Sequence, residues 1–166
     1  MKKEMNNKGF SLVELIIVIA IMAILIVVLA PQYLKYVERS RNSTDLQNAT
    51  EIVTALQVYA ADPEATVTVP TTGTFSIAFS RTADATISDT SGFVVAALRD
   101  AGILGATETA PGTRCQSSQN WTGYTITGQS NGTGGITFTY SQAGTTPAGG
   151  VGFADRMAGK TATAGD

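Results

Sequence analysis

Histidine is absent from the 166 residues, and cysteine occurs once, at Cys115. The first absence removes the commonest general base and the commonest zinc ligand. The second excludes an intramolecular disulfide, so any folded domain must be held by its core alone. Charge is scarce as well: Asp, Glu, Lys and Arg make up 14% of the chain and leave a formal net charge of −2, which gives no basis for a dedicated nucleic-acid surface. Trp121, Tyr124 and Tyr140 could stack on bases, but no basic residues surround them. A place in a sheet core or on a hairpin face is expected for them instead. Asp84 and Asp89 flank a loop without the D-x-[DN]-x-[DN]-G spacing of a calcium loop. Cys115 has no histidine to activate it and reads as a buried, inert thiol. No catalytic residue, metal or cofactor is expected.

What the chain does have is one long apolar run. From Phe10 to Ala30 only Ser11 and Glu14 are polar. At about 1.5 Å of rise per residue the run makes roughly 31 Å of helix, the thickness of a hydrocarbon core of about 30 Å. Ile and Val are mediocre helix formers in water, but in lipid the unpaired backbone forces the helix. A secretory signal fits the basic start at Lys2 and Lys3, yet the core is longer than a signal's apolar region of about 7–15 residues. Cleavage after Ala30 would also place Pro31 at the scissile bond. A plain single-pass anchor leaves Glu14 unexplained, because a carboxylate at the head of a span costs free energy.

Lys8-Gly9-Phe10-Ser11-Leu12-Val13-Glu14-Leu15, followed by the continuous apolar helix, resembles the class III signal of type IV prepilins and of the pseudopilins of type II secretion. The resemblance runs from Lys8 to the mid-forties. It implies a leader, residues 1–9, removed by a prepilin peptidase that cuts after Gly9 and methylates the new N-terminus, Phe10. It further implies self-association into a filament through the helix, with inner-membrane pilus assembly machinery as a partner and membrane lipid around the span beforehand. Lys2, Lys3 and Lys8 precede the span while Lys35, Arg39 and Arg41 follow it, so charge alone does not orient it. The resemblance is what places the leader in the cytoplasm and the C-terminal domain outside.

Glu14 lies four residues from Phe10, about 6 Å along a helix, so it can stay near the headgroups while the subunit waits in the bilayer. Cleavage after Gly9 would create an α-amino group with an ordinary pKa of about 8, and in a bundle of such helices a neighbour's ammonium could pair with Glu14. The resemblance assigns that contact to axial register; the physical logic is that of a polar residue in a coiled-coil seam, which penalises wrong registers. The plainer alternative is that Glu14 only reaches to the interface. Pro31 removes a donor to the Val27 carbonyl and is expected to kink or locally melt the helix. Its alternative role is to mark the membrane boundary.

Beyond Pro31, Leu34, Val37, Leu46, Ala49, Ile52, Val53, Leu56 and Tyr59 or Ala60 keep helical spacing. Arg39 to Asp45 is a polar interruption, where Thr44-x-x-Gln47 could cap a second helix or an Arg41–Asp45 pair could support continuity. Asp62-Pro63 ends the helix. Val67 and Val69, and then Phe75, Ile77 and Phe79, alternate as half-buried strands do. Ser91 to Ala101 reads as a short helix, capped by Ser91 or Asp89, with Phe93, Val94, Ala97, Leu98 and Ala101 on one face and Gly102 at a Schellman end. Tyr124–Thr127 and Ile136–Tyr140 enclose Asn131-Gly132, the pattern of a β-hairpin. Val151, Phe153 and Met157 are expected to add a short edge element.

The fold class expected is α+β: a long N-terminal transmembrane helix packed on a small antiparallel sheet, the ladle shape of pilins. Its segments are the leader 1–9, the span and filament-core helix 10–30, an amphipathic continuation 31–62, an α+β head 63–156 and a disordered tail 157–166. Many pilins close a C-terminal loop with a cysteine pair, which this chain cannot do. Sequons start at Asn42, Asn48, Asn120 and Asn131, as chance allows in a chain rich in Ser and Thr. The function expected is a structural, non-enzymatic subunit of a type IV pilus, held in the cell membrane and then in a surface filament. The runner-up is a pseudopilin of a type II secretion or DNA-uptake apparatus; a membrane-anchored binding module that never polymerises is the third class.

Overall fold

The computed structural model describes residues 10–132, 134–144, 146 and 150–159. Contacts divide the chain into two units, one ending at Val37 and one starting at Glu38. The long helix α1 (Leu12–Ala61) contributes to both. Its apolar composition is what makes a helix the natural state of the first unit, since Leu12 to Ala30 offers no Gly and no polar break after Glu14. The helix continues without interruption through Pro31 and through Ser43. Around Ser43 the hydroxyls fold back on the helix: Ser43 Oγ donates to the Arg39 carbonyl and Thr44 Oγ1 to the Ser40 carbonyl, each at 3.0 Å. Thr44 therefore caps no second helix. The stop at Ala61 is the one Asp62-Pro63 calls for.

In the second unit, α1 buries Glu38, Asn42, Asp45, Ala49, Ile52, Val53, Ala55, Leu56 and Tyr59. The apolar members of that face meet a four-stranded sheet of β1 (Thr74–Ser80), β2 (Thr86–Ser88), β3 (Gly123–Ser130) and β4 (Ile136–Ala143), ordered β2-β1-β3-β4. Every neighbouring pair is antiparallel. The α+β class read from the sequence is thus the class observed, a long apolar N-terminal helix plus a small antiparallel sheet.

Alternation decides the inner face of the sheet. Phe75, Ile77 and Phe79 are buried on β1, and they stand opposite Gly128, Ile126 and Tyr124 on β3. The Phe75 ring lies over Gly128, where any Cβ would collide with it, and Phe138 packs edge-on beside it at 6.4 Å. Hairpin β3–β4 follows the predicted course, with Ser130 opposite Ile136 and Asn131-Gly132 in the connection, Gly132 at φ +76°. Strand β2 went unseen in the sequence: three residues between Asp84 and Asp89, paired with Ser76–Ala78, are too few to show a period. Val67 and Val69 alternate in burial but join no strand, and the Tyr59 hydroxyl accepts the Val67 N–H instead.

Helix α2 (Phe93–Asp100) buries Phe93, Val94, Ala97 and Leu98, while Ala101 is exposed rather than on that face. Asp89 serves its N-terminus by accepting the Val94 N–H at 2.8 Å, and Ser91 Oγ accepts the Phe93 N–H. At the other end Ile103 N–H reaches the Leu98 carbonyl and Gly102 N–H the Arg99 carbonyl, with Gly102 at φ +71°; this is the predicted Schellman geometry. The expected edge element near Phe153 is a helix, α3 (Phe153–Met157). Phe153 is fully buried, stacked on Tyr124 at 4.3 Å and edge-on to Trp121 at 5.5 Å. Of the tail expected to be disordered, Met157 closes α3 and packs on the core, and residues 160–166 lie outside the described residues.

Candidate processing and assembly site

The N-terminal site is built from the entry to α1. Gly9 and the rest of the leader lie outside the described residues. Phe10 is 91% exposed, and every residue from Phe10 to Tyr36 is exposed in the isolated chain. Leaving so many Leu, Ile and Val side chains in water would cost on the order of tens of kcal/mol, at about 1.5–3 kcal/mol each. Something apolar must cover this helix.

Glu14 has a local role that the sequence reading overlooked. One carboxylate oxygen, Oε2, accepts the Ser11 backbone N–H at 2.9 Å, while Ser11 Oγ accepts the Val13 N–H at 3.4 Å. Ser11-x-x-Glu14 therefore caps the helix as a capping box does, except that the Ser11 hydroxyl takes the N–H of Val13 rather than that of Glu14; the signal was present in the sequence as S-x-x-E. The carboxylate also sits in the first turn, where the helix dipole favours negative charge. Among the described residues its other oxygen makes no hydrogen bond, which leaves one acceptor for an outside donor. Pro31 sits within α1, one residue beyond the apolar run.

A second constellation lies in the C-terminal unit, where two carboxylates seven residues apart on α1 are buried. Glu38 Oε1 accepts Ser117 Oγ–H, Ser118 N–H and Gln119 N–H at 2.7–2.8 Å, and Oε2 accepts Ser118 Oγ–H at 2.9 Å. Asp45 Oδ1 accepts Gln116 N–H at 2.7 Å; its Oδ2 accepts Ser117 N–H at 3.0 Å, the Trp121 indole N–H at 2.8 Å and the Cys115 thiol at 3.4 Å. The pair clamps the loop from Cys115 to Trp121 onto the helix. Asp45 is fully buried, so the expected Arg41–Asp45 surface pair does not form. Arg41 lies 3.8 Å from Glu38 instead and donates to Ser118 Oγ.

Burial by itself would raise the Glu38 carboxyl, but the Gln119 N–H, the Ser117 hydroxyl and the two Ser118 donors outweigh it and hold it down at about 2. A carboxyl depressed in the fold contributes stability that is fully present above its ordinary value of 4.5 and is lost as pH falls towards 2. That difference corresponds to about 3 kcal/mol. Denaturation of the full chain in detergent, followed by the fluorescence of Trp121, should therefore show stability falling between pH 4.5 and 2, and falling less steeply in Glu38→Gln.

Cys115 is buried, and its thiol is pushed up to about 12 by burial first and then by the Asp45 charge beside it. Its burial is the one expected from the sequence. Asp84 and Asp89 do not converge on a common point: Asp84 takes two hydrogen bonds from Arg114, and Asp89 serves α2. Among the described residues no group of three metal-ligating side chains occurs. Trp121 and Tyr124 are core residues, each about 1% exposed.

Comparison with known proteins bears on the N-terminal site alone. A family model described as the prokaryotic N-terminal methylation motif matches residues 5–30. Three sequences named type IV major fimbrial protein FimA, from Dichelobacter nodosus, are each 40% identical over 56 residues, 34% of this chain. The chain thus matches only about a third of the length of these curated relatives, 35–36%. No solved structure matches significantly.

Proposed function

We propose, from the premise that this chain carries the N-terminal methylation motif of prokaryotic prepilins, that it is a structural subunit of a type IV pilus. The subunit is made as a precursor, cleaved after Gly9 and methylated on the Phe10 amine. It rests in the cell membrane through its apolar helix and then polymerises with its own copies into a surface filament. A prepilin peptidase and the membrane assembly machinery are the partners this route requires. The relatives are named major fimbrial proteins, which favours a fibre over a short secretion piston. The role is one of packing, not of catalysis.

The observation that carries this reading is the conjunction at the head of α1. A wholly exposed apolar helix needs a cover, and membrane lipid or the same helix of neighbouring copies can provide it. Lipid alone gives no reason for an acid at that end. A neighbouring copy does, because its Phe10 ammonium can occupy the acceptor of Glu14 that the capping box leaves open. The contact exists only in one axial register, so Glu14 selects the register while apolar contacts supply cohesion. Pro31, lacking a donor to the Val27 carbonyl, is a point at which the helix can bend as copies pack around a common axis.

Gly9→Val tests the first step. A branched side chain at the cut site should leave the chain at precursor length, slower on a denaturing gel than the processed wild type, with no filament. Processing at the normal rate in that variant would remove Gly9 from the scheme.

A further inference from the structure

Directly beyond the apolar run, α1 presents Tyr33 and Tyr36 to solvent, 67% and 68% exposed, with Lys35 exposed between them. They belong to the N-terminal unit, which ends one residue later at Val37. A tyrosine has an apolar ring and a polar tip, and two such rings in open water gain nothing that serine or glutamine would not give. Their depth identifies a better medium. The helix passes Pro31 without a break, so its rise can be counted across that residue. From Ala30, the last residue of the run, Tyr33 lies about 4.5 Å further along, Lys35 about 7.5 Å and Tyr36 about 9 Å. The headgroup layer extends about 5–7 Å beyond each face of the hydrocarbon core.

We propose that Tyr33, Lys35 and Tyr36 form an interfacial anchor that docks on the lipid headgroup layer and fixes the depth of the span. The two rings, three residues apart, stand on one side of the helix; Tyr33 lies within that layer, and the Tyr36 ring, directed back toward the N-terminus as helical side chains are, reaches it from just above. The Lys35 ammonium meets the phosphates, whose charge complements it. With the ring pair at one end and the capped Glu14 at the other, the helix resists sliding in either direction while the subunit waits. This inference rests on the reading of α1 as a membrane span, and the experiment separates the two.

The full precursor is reconstituted into phosphatidylcholine vesicles that carry either a headgroup spin label or bromines deep in the acyl chains. Trp121 is the single native tryptophan and is buried, so the signal of an added tryptophan is read as the difference from wild type. Tyr33→Trp should be quenched severalfold more by the headgroup label than by the deep bromines, and should be shielded from aqueous iodide. Ile21→Trp, near the middle of the run, should show the opposite ratio. Deep quenching at residue 33, or full access to iodide without lipid quenching, would overturn the anchor while Ile21→Trp still reports a span. Shielding of residue 33 that grows with the protein-to-lipid ratio would assign the surface to a second copy and equally overturn it. Loss of deep quenching at residue 21 would overturn both the anchor and the membrane reading.

Discussion

Asp45→Ala should lower the stability of the C-terminal unit by about 3–5 kcal/mol, because it strands two buried donors and one half-buried donor. The alanine removes one carboxylate but leaves the Gln116 and Ser117 amides and the Trp121 indole without their acceptor. Each unpaired buried donor costs about 1–3 kcal/mol, so the loss comes from the groups left behind more than from the aspartate itself. A domain of this size is stable by only about 5–15 kcal/mol, and the loop from Cys115 to Trp121 has no disulfide to hold it. Arg114→Ala provides the contrast. It breaks the exposed Asp84 pair and should cost less than about 1 kcal/mol. Denaturation of the two variants in detergent, read by Trp121 fluorescence, checks the ordering. Equal, small losses would show that the clamp contributes nothing.

Glu14→Ala should leave cleavage after Gly9 intact and nearly abolish filaments. The capping box makes this result ambiguous when taken alone, since alanine removes both the charge and the cap. Glu14→Gln separates them. Glutamine can still accept the Ser11 N–H, and it serves in capping boxes, but it carries no charge to pair with an ammonium. If the ion pair sets register, glutamine should be about as defective as alanine when filaments are counted by electron microscopy. If the cap is what matters, glutamine should restore them. The cap of an exposed helix end is worth only about 0.5–2 kcal/mol, and packing of the apolar helices can compensate for that. An ammonium left without its counter-charge inside a dry bundle has no such remedy.

The apolar helix and the methylation motif at its head were legible because their signals are local. The length of the apolar run, the Gly-Phe step and Glu14 are read one residue after another. The Schellman end at Gly102 and the hairpin around Asn131-Gly132 were legible for the same reason, since each is settled by residues within a few positions. What escaped the sequence reading depends on distant partners. Asp45 looked like a surface residue near Arg41, and only the amides of a loop seventy residues away make its burial tolerable. A pointer did exist: Glu38, Asn42 and Asp45 continue the spacing of Ala49, Ile52 and Leu56, which placed them on the buried face. Phe153 was expected in a short edge element, but in a stretch rich in Gly and Ala one aromatic does not establish a period, so its helix and its place in the core were not legible. Strand β2 exists because β1 offers it an edge.

Filaments sheared from the native host and subjected to mass spectrometry give the most direct measurement of all. The subunit should begin at residue 10 and carry one methyl group on the amine of that phenylalanine. A filament subunit that still begins with Met1 would contradict the scheme at its root, because the ammonium that Glu14 is held to meet would never have been formed.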